Sequence, residues 1–395
     1  MKRQNAVFSN MMIRVKCPRP LTGEGKLPLA EPWTGRCPLR RRAVAVVWLV
    51  MAALMLVPAG SLRAQTLQHR YSFNGNAQDS VGGANGTLTG NAYLTNNTLM
   101  LPGGGNSDNP QGYVALPNGI VSNDVSITVE CWLTDFAGQV WAESWCFGDS
   151  TAGPGQPPNQ GTAYISLIPH SGYNDFRAAF NLTGYDEIDV VDAAGPLPLN
   201  VEAYAVVTYD APSTTARLYL NGLQVATASI PTNQAPAYFG ATYNNWLGRD
   251  EFGGDPMFAG SIDELRIWNA AESPLFILVS AAAGPNTLVT NLAPLAVKVG
   301  VSSTNLAVGQ SLAAVVSANF LQASNVTVTG FATNWQSSNA GVLTVNSSGL
   351  FTAVGPGTAV LSATLNGMTG TSAAISQGLM IGSHMMSART VATWK

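Results

Sequence analysis

The chain has 395 residues, which is enough for two or three domains that each bury their own core. Only 10% of the residues are charged, and 40 glycines and 23 prolines favour turn-rich β structure over helices. Residues 1–64 hold 11 Lys and Arg against 2 Asp and Glu, whereas residues 65–395 hold 8 against 20. Because an acidic surface repels phosphate backbones, we expect no nucleic acid partner.

The first 64 residues are predicted to be a basic leader that ends in a secretory signal peptide. Three arginines at 40–42 precede an apolar run at 43–57, which Pro58 and Gly60 break before a small-residue cleavage site at Ala64. The run has 15 residues, whereas a bilayer span needs about 20; a retained N-terminal anchor is the competing interpretation. We therefore expect an exported protein (extracellular, on the cell surface or periplasmic) with no membrane span in the mature chain.

Residues 65–284 are predicted to form an antiparallel β-sandwich. Short apolar or alternating runs are broken by Gly, Asn, Asp and Pro, without a helical period. Asn221-Gly222 lies between two alternating arms and is a strong hairpin signal. The only predicted helix is short, at 272–283. The strand candidates are residues 126–133, 163–169, 204–210, 216–228 and 260–269.

Several stretches of this region, taken in order, resemble LamG-like domains of the concanavalin A type. They are "LQHRYSFNGNAQDSVGGANGTLTG", "ITVECWL", "YAVVTYD", "ARLYLNGLQVA", "NNWLGR" and "FAGSIDELRIWNAAES". The resemblance implies a jelly roll, in which two large antiparallel sheets pack face to face and the N- and C-terminal strands are adjacent. It also implies binding of a carbohydrate or protein ligand far more often than catalysis.

A linker at 285–294 is predicted to precede a second module at 295–377. The stretches "WQSSN", "TVNSSGLFTAV" and "GPGTAVLSAT" resemble a bacterial Ig-like domain of group 2. That resemblance implies a small sandwich that serves as a spacer or adhesion unit on a secreted protein. The tail at 378–395 is expected to be poorly ordered. The predicted fold class is therefore all-β: a concanavalin A-like jelly-roll sandwich plus a small C-terminal Ig-like sandwich.

The acidic run in "GYDEIDVVD" raises the question of catalysis, since Glu187, Asp189 and Asp192 form E-x-D-x-x-D. Retaining β-glucanases of the laminarinase type carry a similar pattern, E-x-D-x-(x)-E, in which the two glutamates perform the chemistry. Strand alternation places Glu187 and Asp189 on one face, but Asp192 reaches that face only through a bulge. Asp192 is also one carbon shorter than the expected glutamate. We therefore expect no enzyme, and a glycoside hydrolase that uses Glu187 is the less favoured alternative.

The LamG-like resemblance also implies a structural Ca²⁺ between the first loop and the last strand. Asp79 matches the loop aspartate of that family, and Asp263 matches the acid of its last strand. Calcium prefers six to eight oxygen ligands, which the carbonyls of an irregular loop help to supply. In the alternative, Asp79 bonds the backbone of its own turn. The acids of the last strand would then pair with Arg70 or Arg266.

Two cysteines, Cys131 and Cys146, follow the predicted cleavage site. An even pair in an exported chain favours a disulfide, and the two residues lie in strands that we expect to be neighbours. Two buried free thiols are the alternative.

Candidate ligand-binding residues concentrate in the stretch "GATYNNWLGRDEFGGDP". Aromatic rings stack on the faces of sugars, and loops on a rigid sandwich commonly carry binding residues. For the tryptophan of this stretch core packing is the favoured interpretation, and ligand binding is the alternative. The candidates are Tyr243, Asn245, Trp246, Arg249 and Asp250.

These patterns predict an exported, non-catalytic binding protein. The jelly roll would engage carbohydrate or an extracellular or cell-surface protein, and the Ig-like module would hold it away from the surface. The alternative is a structural surface or matrix protein without sugar binding. A concave groove lined by exposed Tyr and Trp would favour the first function, and a flat polar face the second.

Overall fold

The computed structural model describes residues 66–183 and 186–377, which belong to one compact unit of the chain. The predicted leader, signal peptide and C-terminal tail lie outside these residues. In the N-terminal part, short runs rich in β-branched and aromatic residues form strands, and Gly, Asn and Pro provide the turns between them. These strands are β1 Leu67–Tyr71, β2 Thr87–Gly90, β3 Tyr93–Thr95, β4 Thr98–Pro102, β5 Gly105–Asn106, β6 Asn109–Pro110, β7 Gly112–Leu116, β8 Ile127–Asp135, β9 Trp145–Ser150, β10 Gly161–Ile168, β11 Phe176–Asn181, β12 Ile188–Asp192, β13 Ala203–Asp210, β14 Thr215–Leu220, β15 Leu223–Ser229, β16 Asn244–Leu247 and β17 Ala259–Trp268.

The predicted strand segments fall on β8, β10, β13, the β14–β15 hairpin and β17. Asn221 and Gly222 form the hairpin turn with φ values of 51° and 87°, as a type I′ turn requires. Two short 3₁₀ helices, Thr232–Gln234 and Pro236–Tyr238, follow the hairpin. The all-β fold class is thus confirmed.

Two antiparallel sheets form a sandwich. The eight-stranded sheet has the order β15-β14-β13-β8-β17-β4-β3, with β1 paired to β17. The seven-stranded sheet has the order β12-β11-β10-β9-β16-β7-β2. Because β1 pairs with β17 through Arg70↔Arg266 and Tyr71↔Leu265, the first and last strands of the sandwich are adjacent, as the resemblance implies.

Strand alternation divides each strand of the seven-stranded sheet between the core and an outer face. Along β10, Ile165 and Leu167 belong to the core between the sheets, whereas Tyr164 and Ile168 belong to a separate cluster on the other side. The period of two thus separates the fold-forming residues from a set that is free to form a site.

One helix, α1 Pro274–Ala283, packs against the outer face of the eight-stranded sheet. Ser273 caps it by accepting a hydrogen bond from the backbone N–H of Phe276 at 3.2 Å, and Gly284 ends it with φ 77°. Phe276 meets Trp268 edge to face, with ring centroids 5.1 Å apart. The helix therefore covers one sheet. Among the described residues, no helix has the length and apolar character needed to cross a membrane.

The predicted disulfide is wrong, because Cys131 and Cys146 are both free and buried. Cys131 lies on β8 of the eight-stranded sheet and faces the sandwich core. Cys146 lies on β9 of the other sheet and belongs to the cluster on its outer face. The segment between β8 and β9 crosses from one sheet to the other, so strands that are neighbours in sequence are not neighbours in space.

A second β domain follows after residue 295. Its 3₁₀ helix is Thr329–Phe331, and its short strands form four small sheets of three strands each among the described residues. The bacterial Ig-like identity of this domain stays a prediction. The strands are β18 Ala296–Gly300, β19 Asn305–Leu306, β20 Ser311–Ala313, β21 Val315–Asn319, β22 Val326–Thr327, β23 Thr333–Ser337, β24 Leu343–Val345, β25 Leu350–Ala353, β26 Gly357–Ala359, β27 Leu361–Leu365, β28 Met368–Thr371 and β29 Ile375–Gln377.

Candidate functional site

The outer face of the seven-stranded sheet carries a cavity of about 410 Å³, called here the first cavity. Strand β10, the segment before β9, the segment before β12 and the loop at 249–256 each contribute to its walls. Three of the lining residues are aromatic, and three are carboxylic acids. The lining residues are Trp141, Glu143, Tyr164, Ile168, Glu187, Phe252 and Asp255.

Trp141 forms one aromatic wall and has an unusual backbone. Its φ is +70°, a region that bulky side chains rarely adopt. The ring of Tyr173 meets it edge to face at 5.8 Å, and the guanidinium of Arg177 lies 5.6 Å from its centroid. A side chain on Gly172 would place its Cβ 2.7 Å from the Trp141 ring, so only glycine fits there. Tyr173 itself is 75% exposed at the rim.

Tyr164 connects the aromatic walls to the acids. Its hydroxyl donates a hydrogen bond to Glu187, and its ring meets Phe252 edge to face with centroids 5.8 Å apart. Because Tyr164 is almost fully buried, this contact fixes the side chain of Glu187 at the wall of the first cavity.

Glu143 lies deepest of the three acids, with 4% of its surface exposed. Its Oε2 atom has no hydrogen-bond partner. Burial, and then the nearby charge of Asp250, raise the pKa of Glu143 well above its usual range and so favour the protonated form. Burial also raises the pKa of Asp255, to about 6.

Glu187 and Asp189 point to the outer face together, as predicted. Asp189 accepts a hydrogen bond from Arg177, which also donates to both oxygens of Asp175 at 2.8 and 2.7 Å. Burial and the charge of Glu187 raise the pKa of Asp189 to about 7. Asp192 pairs in register with the core residue Phe176, without a bulge between β11 and β12, and so faces away from Glu187.

A second cavity of about 370 Å³ lies on the same sheet and uses β16 and the loop at 151–160. It brings together three of the five predicted binding residues. Its lining residues are Asp108, Pro110, Tyr113, Gly155, Gln156, Pro157, Tyr243, Asn244, Trp246 and Arg249.

Trp246 faces this second cavity rather than the core. The guanidinium of Arg249 lies 4.1 Å from its ring centroid and 4.8 Å from that of Tyr113. Arg249 also donates two hydrogen bonds to the carbonyl of Ser107, at 3.1 and 2.6 Å. Trp246 is buried, as core packing implies, but it packs against Arg249 and Tyr113 on the outer face and not between the sheets. Tyr243 donates its hydroxyl to the carbonyl of Ser150 at 2.7 Å, which orients its ring.

The other two predicted binding residues support the loops. The amide of Asn245 donates to the carbonyls of Pro117 and Thr242, at 3.0 and 2.9 Å. Asp250 is fully buried and accepts from the backbone N–H of Phe252 at 2.8 Å. Neither side chain is among the residues that line the first or the second cavity.

The residues predicted to hold calcium do not fit a cation. Both oxygens of Asp79 are taken by N–H groups, whereas a cation requires free oxygen lone pairs. Asp263 accepts from the amide of Asn286 at 2.9 Å. Among the described residues, no group of three His, Cys, Asp or Glu side chains is arranged to hold a metal ion. The partners of Asp79 are the backbone N–H groups of Arg70, Val81, Gly82 and Ala84, at 2.9–3.0 Å, and the ring of His69 at 2.7 Å.

These contacts agree with the alternative interpretation, in which Asp79 bonds the backbone of its own turn. Glu264, and not Asp263, pairs with arginines: with Arg70 at 2.7 Å and with the fully buried Arg266 at 2.5 Å. Burial opposes ionisation of Glu264, but these arginines lower its pKa overall. The acids of the last strand thus stabilise the sandwich.

Sequence reasoning missed Trp141, Glu143 and Tyr164. Two weak signals were present. Trp141 and Glu143 stand in the polar break between two strands, and Tyr164 is out of phase with the core residue Ile165 of its own strand. Alternation could also have separated Asn245 from Trp246, because adjacent residues in a strand point to opposite faces.

Several solved structures are similar to this chain. Domain 4 of AbnA, a GH43 extracellular arabinanase from Geobacillus stearothermophilus solved with arabinotriose, is 23% identical over 54% of this chain and 97% of that one, with a TM-score of 0.41. The CBM40 of the Ruminococcus gnavus IT-sialidase, bound to α2,3 sialyllactose, is 17% identical over 39% of this chain and 81% of that one, with a TM-score of 0.32. Trypanosoma rangeli sialidase is 15% identical over 53% of this chain and 31% of that one, with a TM-score of 0.38.

The match to a family model includes the residues that line both cavities. No match was found among curated proteins. Every residue that lines the two cavities lies between Asp108 and Asp255. Residues 106–277 match the model of the concanavalin A-like lectin/glucanases superfamily, so the part of the chain that carries the site is similar to that superfamily.

Proposed function

We propose that this is an exported, non-catalytic protein that binds glycan on the outer face of its seven-stranded sheet. The observation that carries the proposal is the pair of aromatic-lined cavities on that face, both of which use the loop at 249–256. The second β domain would then act as a spacer that presents the sandwich.

The chemistry of the two cavities suits a sugar. Apolar faces of sugar rings stack on aromatic side chains, and the half-buried rings of Trp141, Tyr113 and Tyr243 line the two cavities. Carboxylate and amide groups beside the rings pair with hydroxyl groups. Volumes of about 410 and 370 Å³ are those of small-molecule sites, and a purely structural role would be served by a flat face.

A glycan array followed by calorimetry on the purified protein tests this proposal. We expect Trp141→Ala and Trp246→Ala each to weaken binding of the glycan that the array selects by about tenfold or more. Tyr93→Ala is the matched control, since Tyr93 is an exposed aromatic residue of β3 on the other sheet. Absence of glycan binding, or equal affinity in all three variants, would contradict the proposal.

Hydrolysis of a glycoside is the second candidate function, and one observation favours it. Glu143 and Glu187 line the same cavity, and hydrolysis requires two carboxyl groups in the roles of acid and base or nucleophile. Asp192, the partner that the sequence pattern suggested, faces away. Laminarin and mixed-linkage glucan are the test substrates. Release of reducing ends that is abolished by Glu187→Gln would establish this second function in place of the first.

A further inference from the structure

The walls of the first cavity are acidic. Glu143, Glu187 and Asp255 contribute three carboxyl groups, and none of the described residues that line the cavity is a Lys, Arg or His. A bound anion would therefore lie beside three acids without a basic partner. A bound cation would find up to three acceptors.

Arg177 does not offset the negative charge of the cavity walls. It is a basic residue that contacts the wall, since its guanidinium lies near the ring of Trp141. However, Asp175 and Asp189 take its N–H donors, and only 5% of its side chain is exposed. Arg177 therefore supports Trp141 and is not free to bind the carboxylate of an acidic sugar.

Glu143 gives a second, independent sign of a ligand. Its Oε2 atom is buried and has no hydrogen-bond partner, although buried polar atoms normally have one. Cys146 and Ser166 are side-chain hydrogen-bond partners of the Glu143 carboxyl, Asp250 and Glu187 lie near it, and none of these four residues is a cation. A donor from the ligand would approach this carboxyl where Glu143 lines the first cavity.

An ammonium group is the donor that matches the site best. It carries three N–H donors and a positive charge, and hydrogen bonds between charged groups are stronger than those of a neutral hydroxyl. The ring of Trp141 adds attraction for a cation next to a stacked sugar ring.

We propose that the first cavity selects sugars that carry a free amino group, such as glucosamine units, over neutral and anionic sugars. This inference depends on the proposed glycan-binding function and names the class of sugar. The second cavity carries one acid, Asp108, and one base, Arg249, so it has no such preference.

Calorimetry on the purified protein with three probes tests the selection. The probes are a glucosamine oligosaccharide, its N-acetylated counterpart of equal length, and sialyllactose. We expect the free-amine probe to bind about tenfold more tightly than the N-acetylated one, the effect of about one charge-assisted hydrogen bond. Sialyllactose should bind most weakly.

Two variants test whether the acids of the first cavity cause the preference for the free-amine probe. Glu143→Gln keeps the size of the side chain and Asp255→Asn removes a charge at the wall, so each should reduce the tenfold preference to about threefold or less. Glu202→Gln removes a carboxylate before β13 of the other sheet and should leave the preference intact. A near-UV circular dichroism spectrum of each variant checks the native packing.

Proton release provides a readout that packing alone does not produce. Because burial favours protonated Glu143, a bound ammonium should expel its proton, and the heat of binding should then depend on the ionisation enthalpy of the buffer. Equal affinity for the free-amine and N-acetylated probes would overturn the inference while leaving glycan binding in place. Absence of binding by all three probes and by every glycan of an array would overturn both.

Discussion

Trp141 combines a rare backbone conformation with a place in the wall of the first cavity. Residues with such φ values cost about 1–3 kcal/mol and concentrate at functional sites, where the surrounding packing holds them. Here Tyr173 and Arg177 hold the ring, and the N–H of Trp141 donates to the carbonyl of His170 at 2.9 Å. The conformation therefore orients the ring toward the place where a sugar would stack.

Gly172→Ala is predicted to disturb this ring without touching a polar group. The new Cβ would meet three ring atoms of Trp141 at 2.7–2.8 Å, so the indole must move. We expect a loss of about 1–3 kcal/mol in the free energy of unfolding and a weaker affinity for glycan. Thermal melts and calorimetry measure the two effects.

Gly330→Ala is the control for that substitution. Gly330 has an ordinary φ, and no atom lies within 4 Å of its added Cβ. This variant should match the parent protein in both measurements. If Gly172→Ala behaves like Gly330→Ala, the proposed position of Trp141 in the binding site is wrong.

At the scale of elements, α1 distinguishes the two sheets because it packs on the outer face of only one of them. The helix packs on the eight-stranded sheet through Phe276, Ile277 and Val279, next to Trp268. The outer face of the seven-stranded sheet carries loops in place of a helix, and both cavities lie there. The helix thus covers part of the outer face of one sheet, and both cavities lie on the other sheet.

Ser273→Ala is predicted to weaken this arrangement by about 1 kcal/mol, the usual value of an N-cap. Its hydroxyl accepts from the N–H of Phe276 at 3.2 Å, and that N–H would lose its partner. Chemical denaturation gives the difference in the free energy of unfolding. Ser273→Asp should retain most of the stability, since aspartate is also a good N-cap, and an equal loss in both variants would contradict the capping role.

Strands and the helix could be predicted from the sequence because their signals are local. Alternation located β8, β10, β13 and β17, and it correctly placed Glu187 and Asp189 on one face. The pairing of sheets is not local. Cys131 and Cys146 are close in sequence, yet the connection between their strands crosses the sandwich, and no pattern of residue types reports such a crossing.

At the scale of the whole molecule, buried acids outside the ion pairs determine the pH dependence of stability. Burial raises the pKa of Asp124 to about 7 and that of Glu272 to about 8. Each group then binds a proton more tightly in the folded than in the unfolded state, so stability falls as the pH rises from the unfolded to the folded pKa. Asp79, Asp175 and Glu264 have lowered pKa values, and their contribution is lost only at lower pH.

We therefore predict that the protein is more stable at pH 5 than at pH 8. Asp124 and Glu272 should each contribute a slope on the order of 1 kcal/mol per pH unit. Thermal melts across this range measure it. Glu272→Gln should flatten the slope because it removes one titrating group, and stability that rises with pH would contradict the assignment.

The first cavity could not be predicted because it forms only when distant segments of the chain come together in the folded sandwich. Glu143, Tyr164, Glu187 and Asp255 come from four segments of the chain, and only the order of the strands brings them together. Tyr243, Trp246 and Arg249 were predictable since they are close in sequence and line one cavity. Asp79 was assigned to calcium from the resemblance alone, whereas its actual contacts depend on how its loop folds back on β1.

A crystal structure of the protein with a bound oligosaccharide tests the central claim most directly. The oligosaccharide should be the best ligand from the glycan array, soaked at a concentration near its Kd to limit adventitious sites. We predict a sugar ring stacked on Trp141 or Tyr243 on the outer face of the seven-stranded sheet. A sugar bound only to the eight-stranded sheet, or only to the second β domain, would contradict the account.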